Sequence, residues 1–217
     1  MIIVRYKKSE HKNIIQACAR ALKAGKVVAY PTDTSYGLAV NAENTAAIRK
    51  LYRVKERSAG QPVHVVVPSV AYAKKIVGWN AVAGRLAKSF WPGPLTMVLG
   101  LASRQAGLEL LSAKTKSLGV RLPNNKIALD LAKQLGKPIT TTSANPSLHL
   151  SGGYDSYSAG DVVTQFKEKK HQPDIVIDAG RLSRHKPSTL LKIGHGFMHI
   201  LRPGPISEKQ ILSALKK

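Results

Sequence analysis

Lys55 and Arg57 stand two residues apart where a helical stretch gives way to the polar run 58–62. A compact ammonium beside a planar guanidinium fork suits phosphate oxygens. The same pair could instead complement the dipole at a helix C-terminus. Arg121 interrupts the apolar run Leu118-Gly119-Val120-Arg121-Leu122 and must reach solvent or an anion, because an unpaired guanidinium is costly to bury. A carboxylate is the anion expected there. Arg202, ahead of Pro203-Gly204-Pro205, raises the same expectation, with a solvated turn as the alternative. Between these cations in the chain lies Ile139-Thr140-Thr141-Thr142-Ser143-Ala144-Asn145-Pro146. Its β-branched residues suit a strand, and Pro146 ends any ladder. Hydroxyl and amide side chains therefore emerge where a rigid strand meets a loop, a common place for a site. A plain Ser/Asn/Pro turn is the bland alternative.

Other chemistries find no support. The chain lacks Gly-x-x-x-x-Gly-Lys followed by Ser or Thr, Gly-x-Gly-x-x-Gly, and the Gly-x-Ser-x-Gly elbow. The single cysteine, Cys18, allows no internal disulfide and no cysteine cluster for zinc. His195 and His199 are four apart, but Gly194 and Gly196 argue against the helix that would align them, so no metal site is expected. His64 sits inside an apolar strand, the usual setting of a structural histidine. Ser151-Gly152-Gly153 could form a backbone nest for phosphate, a weak signal by itself.

The elements that must position these groups follow from periodicity. Residues 2–6 read as a strand, and Ser9 is expected to cap a helix from about residue 10 to 24, closed by Gly25. A strand over 27–30, stopped by Pro31, leads through Thr32 and Asp33 to a second over 38–40. A helix opened by Glu43 or Asn44 carries Ala47, Ile48, Leu51 and Tyr52 on one face and ends at Lys55. Strands follow over 63–67, 95–101 and 118–122, with helices over 69–77 and 81–90 and after Asn124 or Asn125. Residues 102–117 fit either a lid loop or short strands. Ser158 with Asp161, and Ser207 with Gln210, match capping boxes. Further strands are expected over 174–178, 189–193 and 197–201. About eight strands and six helices interleave without repeats or a long linker, the pattern of one α/β domain over 1–217 with a mixed sheet.

The charge is unusual: 34 Lys plus Arg against 12 Asp plus Glu, a formal net +22. Such an excess attracts polyanions, including RNA, and says nothing about fold. Aromatic residues make up only 6%, which counts against single-strand recognition by stacking. No apolar run is long enough for a membrane span. The opening Met-Ile-Ile-Val-Arg-Tyr-Lys-Lys lacks the charge-then-apolar order of a secretory signal, so a cytoplasmic location is expected.

Four segments, taken in order, resemble the YrdC-like family, the threonylcarbamoyl-AMP synthases: 30–38 (Tyr-Pro-Thr-Asp-Thr-Ser-Tyr-Gly-Leu), Lys55-Glu56-Arg57 with Pro62, Ser143-Ala144-Asn145-Pro146-Ser147, and Ile200-Leu201-Arg202-Pro203-Gly204. Ser188-Thr189 after Ile177-Asp178-Ala179-Gly180 fits too. The paired Lys-x-Arg and Ser-x-Asn signatures separate the chain from the YciO-like branch. The resemblance implies a short, single-domain form with a twisted mixed β-sheet, flanking helices and a large basic concave cavity. It implies a nucleotidyltransferase that makes threonylcarbamoyl-AMP and pyrophosphate from L-threonine, bicarbonate and ATP, with Mg²⁺ carried by the triphosphate. A tRNA-threonylcarbamoyl transferase complex would be the partner, with direct tRNA contact through the basic surface. Lys55, Arg57, Ser143 and Asn145 would be the catalytic set. Ser117, Ser151 and Arg202 would join them around ATP, and Thr32, His64, Arg121, Thr141 and Ser188 would position threonine. Two departures stand out. Asp33 replaces the Glu of many members, and His64 lies two residues before the position, here Val66, where many carry a histidine. The alternatives are a related carbamoyl-transfer enzyme and a non-catalytic RNA-binding protein of the same fold.

Overall fold

In the computed structural model, all residues except 59, 148–151 and 217 are described. The strands come in the chain order β1 (Ile2–Arg5), β2 (Val28–Pro31), β3 (Tyr36–Ala39), β4 (His64–Val66), β5 (Leu95–Gly100), β6 (Ser117–Arg121), β7 (Ile139–Ser143), β8 (Ile175–Asp178), β9 (Thr189–Ile193) and β10 (Met198–Arg202). They form one ten-stranded sheet in the spatial order β1-β8-β2-β3-β7-β4-β6-β5-β9-β10. The sheet is mixed as expected: β4 runs parallel to β6 and antiparallel to β7.

The helices divide between the two faces. On one lie α2 (Thr45–Lys55), α3 (Val70–Ile76), α4 (Ala81–Phe90), α5 (Ala106–Leu111), α7 (Ala159–Phe166) and α8 (Glu208–Leu215). Their apolar sides join Val65, Met97, Val120 and Leu191 in the larger core. On the other face lie α1 (His11–Lys23) and α6 (Lys126–Leu135), which pack Ile14, Cys18, Leu22, Ile127 and Leu131 over Val28, Tyr30, Val66 and Ile139. This second layer covers only part of its face. Beyond Ile139 on β7 and toward His64 on β4, polar side chains border a cavity instead.

Several boundaries differ from the sequence reading, each for a local reason. Ser9 lies inside a short 3-10 turn, Lys8–Glu10, and does not cap α1, whose N-cap Glu10 makes no side-chain capping bond. Pro31 is the last residue of β2 rather than its stop: opposite Tyr36 at the hairpin end, its missing N–H costs no ladder bond. Residues 102–116 hold α5 and a turn, neither lid nor strands, and Ser117 already begins β6; Leu108 and Leu111 face the larger core at helical spacing. The ten strands and eight α-helices of the described residues exceed the estimate. Of the paired candidates 43/44 and 124/125 the caps are Asn44 and Asn125, and these with Ser158 and Ser207 each accept a backbone N–H.

Since α6 supplies much of the smaller core, Leu131→Ala should lower unfolding free energy by about 2–5 kcal/mol in urea denaturation. A loss well under about 1 kcal/mol would mean that α6 is not what holds this layer together.

Candidate active site

The end of α2 is turned by Glu56, a non-glycine residue with φ 49°. The Glu56 N–H donates to Arg53 O and the Arg57 N–H to Tyr52 O, the paired bonds of a Schellman turn. This reversal sends the two cations in different directions. Lys55, 3% exposed, reaches under the end of β7, where its Nζ donates to Ser143 O at 2.7 Å, Asn145 Oδ1 at 3.1 Å and Ser143 Oγ at 3.4 Å. Three oxygens match the three N–H groups of an ammonium. The backbone seals the same junction, the Ser147 N–H donating to Lys55 O at 2.8 Å. Burial and then the neighbouring Arg57 charge push Lys55 down to about 7, with Asp155 acting in the opposite direction.

Arg57 instead lines a cavity of about 320 Å³, together with Thr32, His64, Arg121, Thr141, Ser143, Asp155, Ser188 and Arg202, among others. Its Nη2 donates to Pro62 O at 2.9 Å. Two buried donors at this site, Arg57 Nε and Asn145 Nδ2, have no hydrogen-bond partner among the described residues. Arg202 holds Ser188 O through Nη2 at 3.0 Å and Ser188 Oγ at 3.2 Å. Ser188 Oγ also pairs with Thr96 Oγ1 at 2.8 Å.

Arg121, 4% exposed, has found its anion inside the protein. Its Nη2 meets Asp33 Oδ1 at 2.6 Å, and its Nε donates to Gly93 O at 3.2 Å. Asp33 also accepts from the Asn124 N–H, so the loop after β6 holds the carboxylate of the loop after β2 against the guanidinium. Burial lowers the Arg121 pKa and Asp33 opposes that shift. His64 stands opposite Thr141 on β7, its ring lying over Gly119 of β6. A Cβ at residue 119 would fall 2.4 Å from His64 Cδ2, so this strand position must lack a side chain for the ring to lie there. Burial first, then Arg202, Arg57 and Arg121, press His64 down to about 4. At neutral pH it is an uncharged imidazole among three guanidiniums.

Of the residues named from sequence, Thr32, Arg57, His64, Arg121, Thr141, Ser143, Ser188 and Arg202 thus line one cavity, with Lys55 joined to its wall through Ser143. The Thr32 hydroxyl is largely taken up by its own turn, donating to Ser35 O at 2.7 Å. Ser117 is not part of the lining; it begins β6, and its hydroxyl pairs with Thr115 Oγ1 at 2.9 Å. Ser151 lies outside the described residues. Asp155 and Thr96 line the cavity and carried no sequence signal, since only the return of the chain after Gly153 brings the carboxylate to the wall.

The Sua5/yciO/yrdC family model, described as "Telomere recombination", matches residues 20–204. The chain belongs to this family. It is 32% identical over 198 residues to the threonylcarbamoyl-AMP synthase of Bacillus subtilis, covering 91% of this chain and 55% of that one. With the Thiobacillus denitrificans protein of the same name it shares 33% identity over 176 residues, 81% of this chain and 88% of the other. Among solved structures it superposes on Pyrococcus abyssi Sua5 complexed with L-threonine with a TM-score of 0.86 at 31% identity, over 99% of this chain and 60% of that one. This Sua5/YciO/YrdC chain therefore spans little more than half the length of the Bacillus and Pyrococcus relatives and most of the Thiobacillus one.

The depressed Lys55 has a pH consequence in this Sua5/YciO/YrdC fold. Between about pH 7 and the ordinary lysine value of 10.5 the unfolded chain binds more protons at this position than the folded one, so raising pH stabilises the fold there. Wild type should gain stability relative to Lys55→Met as pH rises from about 7 to about 9 in matched urea titrations. A constant difference over that range would show that the buried ammonium keeps an ordinary pKa.

Proposed function

We propose that the chain is an L-threonylcarbamoyladenylate synthase, joining L-threonine, bicarbonate and ATP into threonylcarbamoyl-AMP with release of pyrophosphate. The observation that carries this reading is the convergence of Arg57, Arg121 and Arg202 with the Ser143 strand end on one cavity, above the buried Lys55. The names of the relatives and the threonine bound to the Pyrococcus protein support it independently. Arg57 Nε, a buried donor of a cavity-lining residue without a partner among the described residues, is what an acceptor-rich phosphate group would satisfy.

In this mechanism Arg121, still held by Asp33 through Nη2 and by Gly93 through Nε, offers its remaining N–H groups to the threonine carboxylate, with Thr32, Thr141, His64 and Ser188 around the rest of the molecule. The ammonium loses a proton, and the free amine adds to carbon dioxide derived from bicarbonate, releasing a second proton and forming a carbamate. Neutral His64 can accept a hydrogen bond from the amine without adding another cation beside the arginines. A carbamate oxygen then attacks the α-phosphorus of ATP, the bond to the bridging oxygen breaks, and pyrophosphate leaves with the electron pair. Such chemistry is mostly positioning and charge neutralisation. Arg57, with Lys55 fixed by Ser143 and Asn145, neutralises the developing phosphate charge, and Arg202 and Ser151 complete the nucleotide site, whereas Ser117, outside the cavity lining, has no place in it. Mg²⁺ would ride on the triphosphate and help neutralise it. Among the described residues no group of three or more His, Cys, Asp or Glu could cage a metal, which fits a cation held mainly by phosphates and water.

The product is an acyl-type adenylate, which a tRNA-threonylcarbamoyl transferase complex would consume, with the net charge of +22 available for direct tRNA contact. A cytoplasmic location accords with that partner. No helix among the described residues is long and apolar enough to cross a membrane.

Pyrophosphate release should depend strictly on threonine when each amino acid is offered in turn with ATP and bicarbonate. Arg57→Ala should cut adenylate formation by roughly 100-fold or more. Full ATP–pyrophosphate exchange by that variant, or equal turnover with any amino acid, would refute the assignment.

A further inference from the structure

Asp155 is the one carboxylate among the residues that line the cavity. It is built in. Ser156 beside it is fully buried, its hydroxyl donating to Ala144 O at 2.6 Å and accepting from Gln165 Nε2 at 2.8 Å. The Ser156 carbonyl accepts the Tyr36 N–H at 2.8 Å, tying the same residue to β3. Two residues before Asp155, Gly153 lies so close to Pro146 that an added Cβ would be 2.2 Å from its carbonyl oxygen. The backbone on both sides of Asp155 is thus locked to the Ser143–Pro146 strand end. The Asp155 carboxylate itself makes no hydrogen bond and no ion pair among the described residues, although Lys55 and Arg202 both feel its field.

A fixed carboxylate in a cavity of guanidiniums is out of place if triphosphate is the only ligand to come near, because like charges would meet. It becomes useful if a cation arrives with the anion. The two cations of the ligand set proposed above are the threonine ammonium and the metal on the nucleotide. The neighbours of Asp155 are tied to Ala144 and Pro146, the strand end whose Ser143 and Asn145 the synthase reading gives to the nucleotide, whereas the threonine side is marked by Arg121, whose carboxylate partner is Asp33. Resting on the synthase reading, we propose that Asp155 is the protein's single carboxylate ligand, direct or through one water, to the Mg²⁺ that accompanies ATP. One carboxylate with phosphate oxygens and several waters is an ordinary octahedral Mg²⁺ environment.

Equilibrium ATP binding, measured with and without Mg²⁺, tests this in the intact chain, with Mn²⁺ as a paramagnetic probe of the same site. Wild type should bind ATP more tightly as Mg²⁺ is added. Asp155→Asn should bind metal-free ATP at least as tightly as wild type, because a repelling charge is gone. It should also weaken the metal's affinity for the protein–ATP complex by roughly tenfold or more, seen both as a lost Mg²⁺ response and as weaker Mn²⁺ binding. Asp155→Glu, which keeps the charge, should recover part of the metal response.

An unchanged Mg²⁺ response in Asp155→Asn overturns the proposal. So does weaker binding of metal-free ATP, which would make Asp155 a partner of the ribose hydroxyls. A raised KM for threonine with metal dependence intact would assign it to the ammonium and also overturn the proposal. A wild type that binds ATP under none of these conditions overturns the synthase reading and this proposal together. Tight binding by wild type with an indifferent variant overturns only the role of Asp155.

Discussion

The junction of Lys55 with the end of β7 is the contact on which the rest of the site depends. An ammonium 3% exposed is expensive unless its donors are matched, and here Ser143 O, Ser143 Oγ and Asn145 Oδ1 surround it while Ser147 bonds to its own carbonyl. The contact fixes the C-terminus of α2 against a strand from another part of the chain. It also fixes the turn at Glu56, and with it the direction from which Arg57 enters the cavity. Removing either partner would leave a buried polar group exposed to an apolar surround, so chemistry and stability are coupled at this one point.

The cavity exists because the second face of the sheet is only partly covered. The layer formed by α1 and α6 ends over β2, β4 and β7, and the next side chains along the same strands are hydroxyls and an imidazole instead of aliphatics. Guanidiniums crowd the opening, and each has a local restraint: Arg121 on Asp33 and Gly93, Arg57 on Pro62, and Arg202 on Ser188. Those restraints hold like charges near one another before any anion arrives, which is the kind of preorganisation that makes charge stabilisation effective. His64 adds a polar contact without adding charge, because burial and the arginines keep it neutral.

Much of this was legible from residue order alone. Capping at Asn44, Asn125, Ser158 and Ser207 is a bond between residues three apart, so short-range sequence determines it. Ser9 shows the limit of the same rule: a capable side chain is not a cap when a 3-10 turn takes the backbone first. The mixed α/β architecture followed from apolar runs and their spacing, and the family from four motifs spread across nearly the whole chain. The expectation of an anion at Arg121 and Arg202 followed from the cost of burying charge without a partner, and that at Lys55 and Arg57 from a point charge set beside a planar fork.

Which anion each cation meets was decided only in three dimensions. Arg121 demanded a counter-charge in the sequence, but Asp33, 88 positions away, is the one that answers, because the loops after β2 and β6 end side by side. Asp155 gave no local sign of its place, and its position depends on Ser156 reaching Ala144 and Tyr36. Ser117, by contrast, is on β6 with Arg121 yet outside the cavity lining, since four residues of extended chain carry it roughly 13 Å along the strand. Periodicity and composition act over a few residues and determine elements and charge. The site is set by through-space distances between elements far apart in sequence, and only packing sets those.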